Sequence, residues 1–136
     1  MIYLVLDTNV LFSFFRKSKV FDFVRKLKQA GYVLIAPDFV YSELANLQDQ
    51  ILKYSGISAG EFELLLISLK SVVKSVQKSE YHRFLAEADK ISPDKKDVAL
   101  FALALVFQCS IWSREPKLKK QKIIMVLSDE EIDKLI

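Results

Sequence analysis

Apolar residues recur along this chain in two rhythms. Ile2-Tyr3-Leu4-Val5-Leu6 is a continuous apolar run that stops at Asp7. A short run of this kind, bounded by polar residues, predicts a buried strand. Tyr32 to Ala36, Ser71 to Val76, Ser110 to Ser113 and Lys122 to Leu127 predict four more strands. The stretches between them read as helices. One is expected from about Val10 to Ala30, broken near Lys17-Ser18 and stopped at Gly31. Pro37 suits the first turn of a helix that carries Phe39, Val40, Leu44, Leu47 and Ile51 and ends at Ser55-Gly56. Ser58 and Glu61 have capping-box spacing, so a helix should run from about Ala59 to Leu69. Ser79 opens a helix through Lys90, with Tyr81, Leu85 and Ala88 on one face. Ser92-Pro93 starts another from Asp94 to about Phe107, and Ser128 with Glu131 caps a short last helix.

Strands separated by helices imply a parallel sheet with right-handed crossovers and helices on both faces, a three-layer α/β/α fold. Periodicity does not give the strand order. The extra helical pair between about Ala59 and Lys90 departs from a minimal doubly wound pattern. A length of 136 residues, 51% of them hydrophobic, suits a single domain over residues 1–136. The longest apolar stretch, Val98 to Phe107, is too short to span a bilayer and reads as a buried core helix, so no membrane association is expected. The opening Met-Ile-Tyr lacks a basic region and reads as a strand, not a signal peptide. The lone Cys109 follows a hydrophobic helix and reads as a small buried hydrophobe. It permits no disulfide framework, which fits a reducing, cytoplasmic setting.

Acidic residues change the picture. Asp7 ends the first strand. Glu43 lies in the first or second turn of the helix after the second strand. Asp97 lies one turn into the helix after the third, and Glu115 just past the fourth. All four fall on the rim formed by the strands' carboxyl ends, where open parallel sheets bind ligands. Asp97 sits at the mouth of a helix that is apolar all round. A lone ionised carboxylate there costs several kcal/mol unless it is paired, hydrogen-bonded or metal-bound. Asp94, nearer the helix start, is explained by contact with the helix dipole. Converging carboxylates repel, and a hard divalent ion such as Mg²⁺ or Mn²⁺ resolves the conflict. Such a site activates water and polarises a phosphoryl group. The only histidine, His82, lies in a charged helix and supports no zinc site.

The net charge of +3 is weak evidence for a polyanionic partner, and its distribution says more. Lys17, Lys19, Arg25, Lys26 and Lys28 crowd the first helical region, and Arg114, Lys117, Lys119, Lys120 and Lys122 a late loop. Basic groups around an acidic centre suit a phosphate-backbone ligand, with Arg16, Lys17, Arg114 and Lys117 placed to hold it. Phe12, Phe14, Phe15, Phe21 and Phe23 exceed what one helical face buries. Either they mark a homodimer interface, or the helix breaks at Lys17-Ser18 and both faces are covered internally.

The chain resembles the PIN-domain nucleases. Leu6-Asp7-Thr8-Asn9-Val10-Leu11 looks like the opening signature of that family. Pro37-Asp38-Phe39-Val40-Tyr41-Ser42-Glu43-Leu44 resembles its second acidic element, and the segment from Asp94 to Ala104 its third. Ile111-Trp112-Ser113-Arg114-Glu115 stands where the family usually has a Thr/Ser-Asn-Asp turn. The resemblance implies a parallel sheet of about five strands and Mg²⁺- or Mn²⁺-dependent hydrolysis of phosphodiester bonds, most often in RNA. It implies Asp7, Glu43 and Asp97 as core metal ligands. Thr8 or Asn9 would orient Asp7, Ser113 would support the fourth position, and Glu115 would serve in place of the usual acid. Arg114-Glu115 departs from the family's Asn-Asp pair, which puts a second metal site in question. Many small members similar to this chain are toxins of toxin–antitoxin pairs, such as the VapC type, covered by a protein antitoxin; others act in RNA maturation or decay. Rival readings are a catalytically weakened module that binds RNA or protein, a phosphotransfer receiver domain and an Asp-x-Asp phosphatase. Asp7-Thr8-Asn9 lacks the acidic pair of the receiver and the second acid of the phosphatase.

Overall fold

A computed structural model describes residues 2–16 and 18–136. The chain runs β1 (Ile2–Leu6), α1 (Thr8–Phe12), α2 (Lys19–Gln29), β2 (Tyr32–Pro37), α3 (Val40–Asn46), α4 (Gln48–Ser55), α5 (Ala59–Val72) and β3 (Val73–Val76). It continues through α6 (Lys78–Tyr81), α7 (Leu85–Ile91), α8 (Val98–Phe107), β4 (Ser110–Trp112), β5 (Val126–Leu127) and α9 (Asp129–Leu135). The five strands form one parallel sheet in the order β3-β2-β1-β4-β5. β1 lies at its centre, with Leu4 opposite Leu34 of β2 and Ser110 of β4.

Successive side chains of a strand point to opposite faces. Leu4 and Leu6 therefore join one core, with Leu34, Ala36 and Trp112, under α1 to α5 and α9. Val5 joins the other, with Ile35 and Ile111, under α6, α7 and α8. The result is the expected three-layer α/β/α arrangement. Both capping boxes form: the Ser58 and Ser128 hydroxyls accept from the Glu61 and Glu131 amides, and each glutamate accepts from its capping residue's amide. Gly56, at φ 66°, ends α4 in the left-handed conformation that glycine adopts without penalty. Among the described residues no helix is long and apolar enough to cross a membrane.

Several elements differ from the sequence expectation. The first helical region breaks at the expected place, with α2 starting after an extended Ser18, but the part before the break is only the short α1 and a 3₁₀ turn over Ser13–Arg16. This break lets the aromatic cluster close on itself. Phe14, Phe15 and Phe23 are buried, and Phe12 and Phe21 pack against the same core. These rings are accounted for within the chain, so they no longer argue for a homodimer. Pro37 closes β2 opposite Val76 and does not open α3. The helix expected from Pro37 to Ser55 is two helices meeting at Leu47. The last strand shrinks from the expected Lys122–Leu127 to Val126–Leu127. The Gln121 side chain explains part of this: it accepts from the Ile123 and Ile124 amides and donates to the Leu118 and Ile124 carbonyls. Backbone groups satisfied locally in this way have less need of a ladder.

Phe15 is fully buried and stacks on Phe62 with ring centroids 4.9 Å apart. Phe15→Ala should cost about 3–5 kcal/mol through lost burial and a residual cavity. Leu64→Ala, at a side chain 70% exposed, should stay within about 0.5 kcal/mol. Urea unfolding of the two variants checks the contrast.

Candidate functional site

From β1 the chain winds outward to β2 and β3, then returns to β4 and β5 on the other side of β1. In open α/β sheets the ligand crevice lies beyond the strands' carboxyl ends, where the winding reverses. Here that point is the β1–β4 junction. Asp7 is the first residue past β1. Its amide donates to the Trp112 carbonyl at 3.0 Å, so the β4 neighbour fixes its backbone. The buried Ser113 hydroxyl donates to Asp7 Oδ2 at 2.7 Å. The same hydroxyl accepts from the Glu115 amide at 3.0 Å. One serine therefore links the first acid to the turn that carries the fourth.

Thr8 and Asn9 contribute differently from expectation. Their backbone amides favour the charged form of the Asp7 carboxylate without a capping hydrogen bond from its side chain, and their side chains face other partners. The Thr8 hydroxyl donates to Glu43 Oε1 at 2.9 Å, and Asn9 Oδ1 accepts from the Arg114 amide at 3.4 Å. Glu43 is in the first turn of α3. Asp97 is the N-cap residue of α8, ending a 3₁₀ turn over Lys95–Asp97, and not one turn into the helix. Asp94 behaves as a helix-start acid. It accepts from the Lys96 amide at 3.1 Å and pairs with the Lys117 ammonium.

Asp7, Glu43, Asp97 and Glu115 all line one cleft of about 330 Å³, together with Thr8 and Asn9. Phe39, Lys96 and Leu100 complete its wall. Sequence reasoning singled out none of these three. Phe39 and Leu100 read as helix-face residues. Yet each lies one turn from an acid, four before Glu43 and three after Asp97, a spacing that places side chains on one helix face.

Burial and like charge set the electrostatics. Burial pushes the Asp7 pKa up, and the negative charge of Glu43 adds to this, while the Ser113 hydroxyl and the two amides work against it. Asp97 is pushed up to about 6, by burial first and then by the charges of Asp7 and Asp94. Lys117 holds Asp94 below the usual carboxylate range. Cys109 is half-buried, and burial pushes its thiol up to about 11, as suits an unreactive packing residue. His82 is exposed.

The acids share a cleft without forming a closed cage. Among the described residues no group of three or more His, Cys, Asp or Glu side chains is close enough to hold a metal ion as it stands. Tight convergence, expected from sequence, is therefore not preassembled. The donor chemistry still fits a hard divalent cation, since it offers carboxylate oxygens in surroundings that resist their joint ionisation. The basic residues are mostly engaged elsewhere. The Arg114 guanidinium bonds Asp129 at 3.0 Å and also the Ser13 hydroxyl. Arg16 bonds the Tyr54 hydroxyl at 2.6 Å, and Lys117 holds Asp94. Lys17 lies outside the described residues. Among the described residues, Lys96 is the cation on the cleft wall.

A family model for the PIN domain matches residues 5–125. The match spans all four motifs of the sequence analysis. Neither a curated protein nor a solved structure matches the chain.

The raised Asp97 pKa has a consequence for stability in the presence of chelator. The folded form keeps its proton up to about pH 6, whereas the ordinary value is 3.8. The fold thus loses stability as pH rises through that interval, by about 1–3 kcal/mol. Asp97→Asn should be more stable than the parent at pH 7.5 and nearly equal to it below pH 4. Thermal melts across that range check this, and parallel profiles for the two proteins would contradict it.

Proposed function

The chain belongs to the PIN-domain family, a family of nucleases, and from that premise we propose that it is a divalent-metal-dependent endoribonuclease. Asp7, Glu43 and Asp97 are the proposed ligands for Mg²⁺ or Mn²⁺, with Glu115 as an additional carboxylate. The observation that carries this reading is that all four acids line one cleft at the β1–β4 junction, where Asp7 and Asp97 both resist ionisation. When bound, the ion would supply an activated water and charge stabilisation at phosphorus. The chain's own residues do the positioning. The Ser113 hydroxyl orients Asp7, and the Thr8 hydroxyl orients Glu43. Lys96 adds positive charge on the cleft wall, with Arg16, Lys17, Arg114 and Lys117 as further proposed contacts to the RNA backbone.

Two observations favour a second reading, a weakened module that binds RNA or a protein without cutting. The carboxylates are not preassembled, and Arg114-Glu115 replaces the family's usual Asn-Asp pair. The proposed biological role is that of a cytoplasmic toxin neutralised by a protein antitoxin, or of an RNA-processing enzyme. Finding a small antitoxin reading frame beside the gene would support the first.

The test is cleavage of a defined RNA with and without Mn²⁺. Wild-type protein should cut only with the ion. Asp7→Asn should lose about a hundredfold or more, the order expected when one charge-stabilising group of an active site is removed. Equal cleavage by both proteins would overturn the nuclease reading. Binding without cleavage by wild type favours the second.

A further inference from the structure

The cleft has an apolar side that the carboxylate chemistry leaves unused. Phe39 is its main element. The residue is 39% exposed although it opens a helix that packs on the core. Phe39 occupies the N-cap of α3 and provides no side-chain capping bond. Its backbone is already helical there, at φ −80° and ψ −5°, so the position does not call for a capping oxygen. Nor does the helix start call for an aromatic ring, and this one gains little burial. Aromatic side chains are common in the lining of ligand clefts.

Its placement is specific. The Glu43 amide donates to the Phe39 carbonyl at 3.0 Å, so the two residues are one turn apart on α3 and both line the cleft. Leu100, one turn from Asp97 on α8, lines it too. Each of these two acids is thus accompanied by an apolar residue in the same cleft. Lys96 lies on the same wall. A ligand matched to this lining carries an anionic group and a flat apolar group about one helical turn apart. A nucleotide is such a ligand.

We infer that Phe39 is a stacking surface for an unpaired nucleobase adjoining the phosphate held at the carboxylates. The inference rests on the nuclease reading for the location of that phosphate. A base in a duplex has both faces covered by its neighbours, so only a single strand or an opened loop offers a face to Phe39. Stacking is tolerant of base identity, because every base has a π-face. Phe39 then positions the strand and leaves the chemical step to the acids.

The test uses fluorescence anisotropy at low salt with Ca²⁺ in place of Mn²⁺, so that the cleft's negative charge is offset and binding is read apart from cleavage, with a gel of the same samples verifying that the strand is intact. The probes are a labelled single-stranded RNA and the same backbone with abasic sites in its central positions. Phe39→Ser replaces a ring that is partly in solvent, so the fold should be kept, which melting verifies. It should weaken binding of the base-bearing strand about five- to 100-fold and leave the abasic strand unchanged. Phe39→Trp should restore binding. In cleavage assays with Mn²⁺ the serine variant should raise KM with kcat little changed. Equal affinity of wild type and Phe39→Ser for the base-bearing strand would overturn the inference, as would an equal loss on the abasic strand or no binding by wild type. If wild type never cleaves yet binding follows Phe39 as described, the nuclease reading fails and the stacking surface stands. If cleavage follows Asp7 while binding ignores Phe39, the reverse holds.

Discussion

The pairing of β1 with β4 is the constraint on which the site depends. It joins residues separated by about a hundred positions. The Asp7 amide meets the Trp112 carbonyl, and the Ser113 hydroxyl meets the Asp7 carboxylate. Because β1 is central, a change in the register of β4 would move Ser113 and Glu115 together relative to Asp7. The β2 side contributes Glu43 through α3, and the opposite helical layer contributes Asp97 through α8. The cleft thus draws on both layers of the fold and on both sides of its central strand.

The same arrangement makes the acids reluctant to ionise. Asp97 opens a helix whose residues Leu100 to Ala104 are all buried, and its own partial burial at the cleft disfavours the charged form. Asp7 is held by hydrogen bonds that favour its charge and by burial that opposes it, and burial is the larger effect. The fold accepts this electrostatic cost at the rim because its two apolar cores carry the stability. Such strain between packing and charge is expected where function, not folding, selects the residue.

Much of this was legible from the chain alone, for identifiable reasons. β1 and β2 are dense apolar runs, and a parallel strand buried on both faces must look that way. The capping boxes at Ser58 and Ser128 rely on local side-chain bonds, so their spacing was sufficient. The four acids were legible because strand ends are legible, and strand ends define the rim. What failed depended on tertiary context. Pro37 satisfies both a strand end and a helix start, and only the partner Val76 decides. The Gln121 loop replaces strand pairing with side-chain bonds that no periodicity reveals. The pairing of Arg114, Arg16 and Lys117 with Asp129, Tyr54 and Asp94 was likewise hidden, because these partners lie far away in sequence. Phe39 and Leu100 carried the opposite ambiguity, since an apolar residue on a helix reads as core until the cleft beside it is seen.

The most direct measurement is anomalous diffraction from crystals soaked in Mn²⁺. A divalent ion that relieves the repulsion among these acids should produce a peak in the cleft, bound by oxygens of Asp7, Glu43 and Asp97. A cleft without such a peak, in crystals whose acids are ionised and open to solvent, would contradict the account.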